Sequence, residues 1–178
     1  MKIIFIFGVI FGLALPVQAE SGSKPVNDAL TLRGQGTANY LLFEVYEARL
    51  YLPPGIAAAA ALQGETSRRL SLRYKLAIKR SDIELAAWST LQKQWPDEVL
   101  KSRKNQLDQL HAAMRDVNEG DVYTLDYRPT RGVTLSLNDQ AVWQGGDARL
   151  AEMYFGIWLG EACLSPELRL ALLGNKAD

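Results

Sequence analysis

The chain has 178 residues, which suits a single domain, and its 20 basic side chains balance 20 acidic ones. Because the sequence contains no basic stripe or charge block, its composition argues against electrostatic binding of nucleic acid. A lone cysteine, Cys163, excludes an intramolecular disulfide, so an apolar core must stabilise the fold. We interpret Cys163 itself as a small buried apolar side chain.

The first 19 residues have the layout of a secretory signal peptide. Lys2 supplies the positive start, Ile3 to Leu15 is uncharged and apolar, and Val17 and Ala19 are small residues at the cleavage positions. The apolar run is shorter than the roughly 20 residues that span a bilayer. We therefore expect cleavage after Ala19 and export to the periplasm. The expected mature protein is one domain, residues 20–178, that does not span a membrane.

The first half of this mature chain has strand patterns. Residues 30–33 alternate apolar and polar side chains, and Gly34-Gln35-Gly36 predicts a turn or bulge that breaks the strand. Residues 41–52 form a long predicted strand with apolar side chains on both faces, which indicates a central position covered on each side. A short alanine-rich helix over 57–63 and an alternating strand over 69–78 are predicted next.

Two predicted helices occupy the middle of the chain. Ser81 and Glu84 have the spacing of a capping box, and the helix that they open is expected to end near Trp95. A second helix is predicted over about Asn105 to Val117 from the spacing of its leucines.

The last third of the chain predicts three strands and two helices. The strands cover 122–127, 133–137 and 140–143, with a hairpin turn at Asn138-Asp139. One helix carries an apolar face from Leu150 to Trp158, and another covers 166–173. This order of strands and helices predicts an α+β fold with a large antiparallel β-sheet backed by a layer of α-helices.

Motifs for catalysis, metals and cofactors are missing from the sequence. His111 is the only histidine, so no histidine-based metal site is expected, and we predict that it lies on a helix surface or is half-buried. No nucleophile elbow and no phosphate-binding glycine loop is present. The sequence therefore predicts no catalytic residue, no metal and no cofactor.

The sequence has many large aromatic side chains for one small domain. They could line an apolar cavity between the sheet and the helices, since small-molecule sites are mostly apolar with a few polar groups. Tyr46 is the strongest candidate, because Glu44 shares its strand face and a purely structural core would not favour a carboxylate there. The predicted ligand-binding residues are Tyr46, Glu44, Tyr74 and Trp88.

A set of short motifs resembles the bacterial chalcone isomerase-like family of exported proteins over about residues 28–174. The motifs are Leu30-x-Leu32-x-Gly34-x-Gly36, Phe43-x-Val45-Tyr46-x-Ala48-x-Leu50-Tyr51-Leu52, Gly120-Asp121, Gly132-Val133, Ile157-Trp158-Leu159-Gly160 and Leu172-Leu173-Gly174. The resemblance implies a chalcone isomerase fold, in which a cleft separates the sheet from the helices. It also implies either of two activities: plant members close a flavanone ring in that cleft, and non-catalytic members bind fatty acids there.

The catalytic residues of the plant enzymes do not carry over. Those enzymes use an arginine just after the paired glycines and a threonine on the following strand, and these positions fall near Ala38 and Tyr46. Alanine cannot stabilise a developing oxyanion as a charged donor does. The resemblance therefore implies the fold and argues against the isomerase reaction.

Three functions remain open at this point. The first is a non-catalytic protein that binds a small lipophilic molecule, such as a fatty acid, an aromatic compound or a haem-like ring. Tyr46, His111 and Cys163 are the candidate ligands if a haem iron needs one. The second is an isomerase or lyase that uses other residues of the cleft, with Glu44 and Tyr46 as an acid–base pair if both are buried. The third is an accessory interaction protein. The oligomeric state is left open.

Overall fold

Six β-strands follow one another in chain order across a single antiparallel sheet in the computed structural model, which describes residues 29–174. The strands are β1 Thr31–Tyr40, β2 Phe43–Leu52, β3 Arg68–Tyr74, β4 Val122–Arg128, β5 Gly132–Leu137 and β6 Gln140–Gly145. The helices are α1 Arg80–Gln94, α2 Asp97–Ala113, α3 Ala148–Leu159 and α4 Pro166–Leu172. The predicted α+β fold is confirmed, whereas the predicted signal peptide lies outside the described residues.

Alternation along the strands gives the sheet one apolar and one polar face. On the inner face, Leu50 of β2 lies opposite Leu70 of β3, which lies opposite Leu125 of β4, and all three are buried. On the outer face, Arg49 of β2 lies opposite Ser71 of β3, which lies opposite Thr124 of β4. Because side chains alternate with a period of two, this register places the whole apolar set beneath the helices.

The helical layer covers the inner face. Helix α3 is apolar along most of its length and packs against α1, α4 and β5, while α2 packs on β6 and α4 on β1 and β2. The side chains of Asp147 and Ser165 accept backbone hydrogen bonds at the starts of α3 and α4 and cap both helices. Within residues 29–174, no helix combines the length and the apolar character needed to cross a bilayer.

The glycine pair in β1 has a different role from the one predicted. Strand β1 runs through Gly34 and Gly36 with only a register shift between Leu32 and Gly34, so the predicted bulge is present and the predicted break is wrong. A Cβ atom at Gly34 would lie 2.2 Å from the carbonyl oxygen of Ala171. The glycines therefore provide room for α4 to lie directly on the strand.

Several predicted boundaries also differ. Strand β2 is covered on one face only, because Tyr46, Ala48 and Leu50 are buried while its opposite face is half-buried or exposed. Helix α1 begins at Arg80 without a side-chain cap, and the carboxylate of Asp116 accepts the backbone hydrogen bond of Arg80 at 2.9 Å. Helix α2 begins eight residues earlier than predicted, the strand predicted over 69–78 ends at Tyr74, and only Ala58–Ala60 is helical within 57–63, as a single 3₁₀ turn.

Candidate functional site

An apolar cavity of about 140 Å³ lies between the inner face of the sheet and helices α1 and α3. The sheet contributes side chains from four strands, β2 to β5, and the helices contribute Ile83, Ala86 and Ala87 from α1 and Tyr154, Ile157 and Trp158 from α3. Ala86 and Ala87 are small where α1 faces the sheet. Their size leaves volume that larger side chains would occupy.

Strand pairing brings the tyrosines of the site together. Tyr46 lies opposite Tyr74 in the β2–β3 register, and their rings meet edge to face with centroids 5.6 Å apart. Tyr123 of β4 lies opposite Leu72 of β3, two residues before Tyr74, and the ring centroid of Tyr123 is 6.2 Å from that of Tyr74. Three tyrosines from three strands therefore form one wall of the cavity.

The hydroxyl of Tyr46 provides a polar group in this apolar site. It accepts a hydrogen bond of 2.9 Å from the indole Nε1 of Trp158, and among the described residues its own proton has no acceptor. Burial raises the pKa of Tyr46 to about 12, although the bond from Trp158 opposes the rise. At neutral pH the phenol is therefore protonated and able to donate to a bound molecule.

Tyr74 provides a second hydroxyl of the same kind. Its side chain is buried, and no hydrogen bond is made by its hydroxyl within the described part of the chain. Burial raises the pKa of Tyr74 even further, so this phenol also stays neutral.

Positive charge is absent from the cavity lining. None of the described residues that line it is lysine, arginine or histidine, and the one carboxylate is Asp82 in the first turn of α1. Asp82 is exposed and Leu164, also in the lining, is 42% exposed, so these two residues mark the opening to solvent. Ala38, near which the plant arginine would fall, is buried opposite Tyr46.

His111 lies in an aromatic cluster behind the cavity. It is 1% exposed, which makes the prediction of a surface or half-buried histidine wrong. Helix α2 packs against α1, and the imidazole is enclosed by Trp88 of α1 at 5.4 Å and by Tyr154 of α3 at 5.7 Å between ring centroids. Neither ring nitrogen has a hydrogen-bond partner among residues 29–174. Burial lowers the pKa of His111 and keeps it neutral.

The four predicted ligand-binding residues are placed differently from one another. Tyr46 and Tyr74 line the cavity side by side. Trp88 contacts His111 behind the cavity and is not in its lining. Glu44 is exposed near the start of β2 and does not line the cavity, so it does not form a buried acid–base pair with Tyr46.

Other lining residues could not be named from the sequence as site residues. Tyr123 joins the lining because β4 pairs with β3, although two helices separate these strands in the chain, and Met114 joins it from the end of α2. Their alternation or helical spacing marks them as buried without indicating what they face. Cys163, next to Leu164, is half-buried and not buried as predicted. No group of three potential metal-ligating side chains occurs in the described ranges.

Comparisons with known proteins agree with this fold. A family model described as chalcone isomerase-like matches residues 9–174. Among solved structures, the chain is similar to a fatty-acid binding protein of Arabidopsis thaliana, with a TM-score of 0.64 and 12% sequence identity over 83% of this chain and 88% of that one. No curated protein gave a significant sequence match.

Proposed function

This chain belongs to the chalcone isomerase-like family, and from that premise we propose that it binds a small, uncharged lipophilic molecule without catalysing a reaction. The observation that supports this proposal is the apolar cavity with the tyrosine hydroxyls of Tyr46 and Tyr74 in its wall. An apolar cavity with a few polar groups is the usual form of a small-molecule site.

The charge of the lining favours an uncharged ligand. A carboxylate buried in this cavity would lose its hydration and meet no cation, which is unfavourable by several kcal/mol. Two neutral phenols instead offer hydrogen bonds to a carbonyl, ether or hydroxyl oxygen. A fatty acid, the ligand for which the Arabidopsis protein is named, would fit here in its protonated form or with its carboxylate outside the opening.

Cavity size limits the part of the ligand that is enclosed. A volume of about 140 Å³ resembles the roughly 150 Å³ cavity that holds a benzene ring. It is below the roughly 300 Å³ at which sites for drug-sized ligands begin. We therefore favour one ring or a short alkyl segment inside the cavity, with any longer part leaving past Asp82 and Leu164, and we disfavour a haem-like ring.

Residues of the site do not favour the alternative of an isomerase or lyase. The high pKa of Tyr46 makes it a poor general base at neutral pH. Glu44 is exposed and outside the lining, so it does not pair with Tyr46 in proton transfer, and no guanidinium in the lining replaces the arginine of the plant enzymes.

Binding of two matched ligands tests the proposal. Tryptophan fluorescence of the purified protein is titrated with a fatty alcohol and with the fatty acid of equal chain length at neutral pH, because Trp158 lines the cavity. We expect the alcohol to bind more tightly, and Tyr46→Phe to weaken it about fivefold, the loss of one neutral hydrogen bond. Tyr51→Phe, on the outer face of the same strand, is the control. Tighter binding of the carboxylate, or no binding of either, would contradict the proposal.

We further propose that the protein is exported and acts in the periplasm as a single domain of residues 20–178. The support is the three-part layout of residues 1–19. The intact mass of the protein recovered from a periplasmic fraction is expected to correspond to cleavage after Ala19. Recovery of the uncleaved chain with the membrane fraction would contradict this proposal.

A further inference from the structure

The turn between β1 and β2 presents four consecutive large apolar side chains to solvent. Tyr40 is 71% exposed, Leu41 81%, Leu42 97% and Phe43 66%. Tyr40 pairs with Phe43, so Leu41 and Leu42 form a two-residue turn at the end of a protruding hairpin. We call these four residues the hairpin tip. Single exposed apolar residues are common, but a run of four at one projection is not explained by the fold.

The hairpin tip also has residues that its backbone does not favour. Leu41 has a φ of 55°, in the left-handed region where glycine, asparagine and aspartate are preferred. The β5–β6 hairpin of the same protein places Asn138 and Asp139 at φ 49° and 65°. One hairpin thus follows the usual turn chemistry, while the other has leucines that neither the turn nor a core requires. Departures of this kind are typical of functional positions.

We propose that the hairpin tip inserts into the surface of a lipid bilayer. Its four residues are far fewer than the roughly 20–30 residues per partner of a standard protein interface. Two leucines between a tyrosine and a phenylalanine match an interfacial wedge, with aromatic side chains at the level of the lipid headgroups.

Charges beside the hairpin tip indicate which kind of bilayer it fits. Two charged residues adjoin the hairpin tip: Glu44, which follows Phe43 on β2, and Lys75, whose backbone nitrogen donates to the carbonyl oxygen of Val45 at 2.9 Å. Their opposite charges balance, and one ammonium is not the cluster of cations that recognises anionic lipid. Burial of apolar surface therefore drives the insertion, and uncharged headgroups are sufficient.

The hairpin tip is continuous with the proposed ligand site. Val45 and Tyr46, which line the cavity, follow Phe43 by two and three residues on the same strand. At about 3.3 Å per residue, this separation is about 10 Å. Docking by the hairpin tip would thus bring the cavity close to the lipid from which a lipophilic ligand could enter, but the membrane contact itself does not depend on the proposed ligand.

Flotation with phosphatidylcholine vesicles tests the proposal. The protein and all variants are produced and processed in the same way and have the same N-terminus. Any contribution from residues 1–28 is therefore the same in each. We expect the unmodified protein to float with the vesicles, including at about 1 M NaCl, where charges are screened beyond about 3 Å. The double variant Leu41→Gly with Leu42→Asn places glycine at the position of positive φ and a polar residue after it, and it should lower partitioning at least tenfold without lowering the thermal midpoint.

Two further variants keep the result interpretable. Leu42→Ser alone leaves the backbone of the turn unchanged and should lower partitioning several-fold, even if the double variant proves unstable. Leu85→Asn removes a leucine that is 70% exposed on α1 and should have no effect. Equal partitioning of the tip variants and the unmodified protein would overturn the proposal, as would binding that requires anionic lipid. A homodimer that is lost on tip substitution, with no vesicle binding, would overturn it in favour of a second copy as the partner.

Discussion

Filling the cavity should make the protein more stable and less able to bind. Ala87 on α1 is 5% exposed and lines the cavity, so leucine in its place extends three carbon atoms into the roughly 140 Å³ available. Unfilled core volume costs about 24 cal/mol per Å³, or about 3 kcal/mol for this cavity. Three buried carbon atoms contribute about 0.8 kcal/mol each, and adjustment of neighbouring side chains reduces the net gain to about 1–2 kcal/mol.

Chemical and thermal unfolding of the ligand-free protein measure this gain. For a chain of this size we expect Ala87→Leu to raise the melting temperature by about 2–8 °C, since 1 kcal/mol corresponds to about 2–4 °C. The same variant should bind the fatty alcohol at least tenfold more weakly, which corresponds to about 1.4 kcal/mol. Ala112→Leu, at an exposed position of α2, is the control for helix propensity and should change neither quantity appreciably.

Two results would refute the reasoning about Ala87. If Ala87→Leu lowered stability, the space beside α1 could not accept a side chain, and the cavity would not be a usable void. If the variant were more stable but bound the alcohol as before, the ligand site would lie elsewhere. A gain in stability together with a loss of binding is expected of a site whose volume is kept for function.

Two other substitutions have an effect on stability whose direction follows from the structure. Burial lowers the pKa of His111, so on acidification the unfolded chain takes up a proton before the folded protein does. The free energy of unfolding should therefore fall as the pH drops below about 6.5. His111→Leu should remove this pH dependence, as measured by urea unfolding at several pH values. If His111→Leu left the pH dependence of stability unchanged, groups other than His111 would control the loss of stability at acidic pH. Gly34→Ala places a Cβ atom 2.2 Å from the carbonyl oxygen of Ala171 and should cost about 2–3 kcal/mol in the free energy of unfolding, whereas Gly64→Ala, with its nearest atom at 3.4 Å, should cost little.

Local patterns in the sequence were sufficient for most of the fold. Alternation predicted β3 to β6 within a few residues at most ends, and the spacing of apolar residues predicted α3, because burial on one side gives a periodic signal. Gly34 and Asp116 show where such signals fail. A glycine that makes room for a helix more than 130 residues later looks the same as a turn glycine, and the acceptor at the start of α1 lies 36 residues away in the chain.

The candidate site was predictable only in part, for the same reason. Tyr46 and Tyr74 could be named because each is a large aromatic residue with a polar group on an otherwise apolar strand face. Alternation also placed Glu44 on that face, but the sequence does not indicate that the strand's first residues are exposed. Trp158, one of the aromatic residues of α3, could not be assigned as the hydrogen-bond donor to Tyr46, since the two residues are 112 positions apart.

Contact between β1 and α4 determines when the sheet can be completed during synthesis. The guanidinium Nε of Arg33 in β1 donates to the carbonyl oxygen of Leu173, directly after α4, at 3.0 Å, so the first strand and the last helix are joined across 140 positions of the chain. Strands β1 to β3 can pair soon after they leave the ribosome, because each lies beside its neighbour in the chain. The surface of β1 on which α4 packs, however, stays uncovered until α4 has been synthesised. A nascent chain of this protein therefore exposes that part of its first strand while the rest of the sheet and the other helices are made, which gives time for a chaperone to engage it before folding closes that surface.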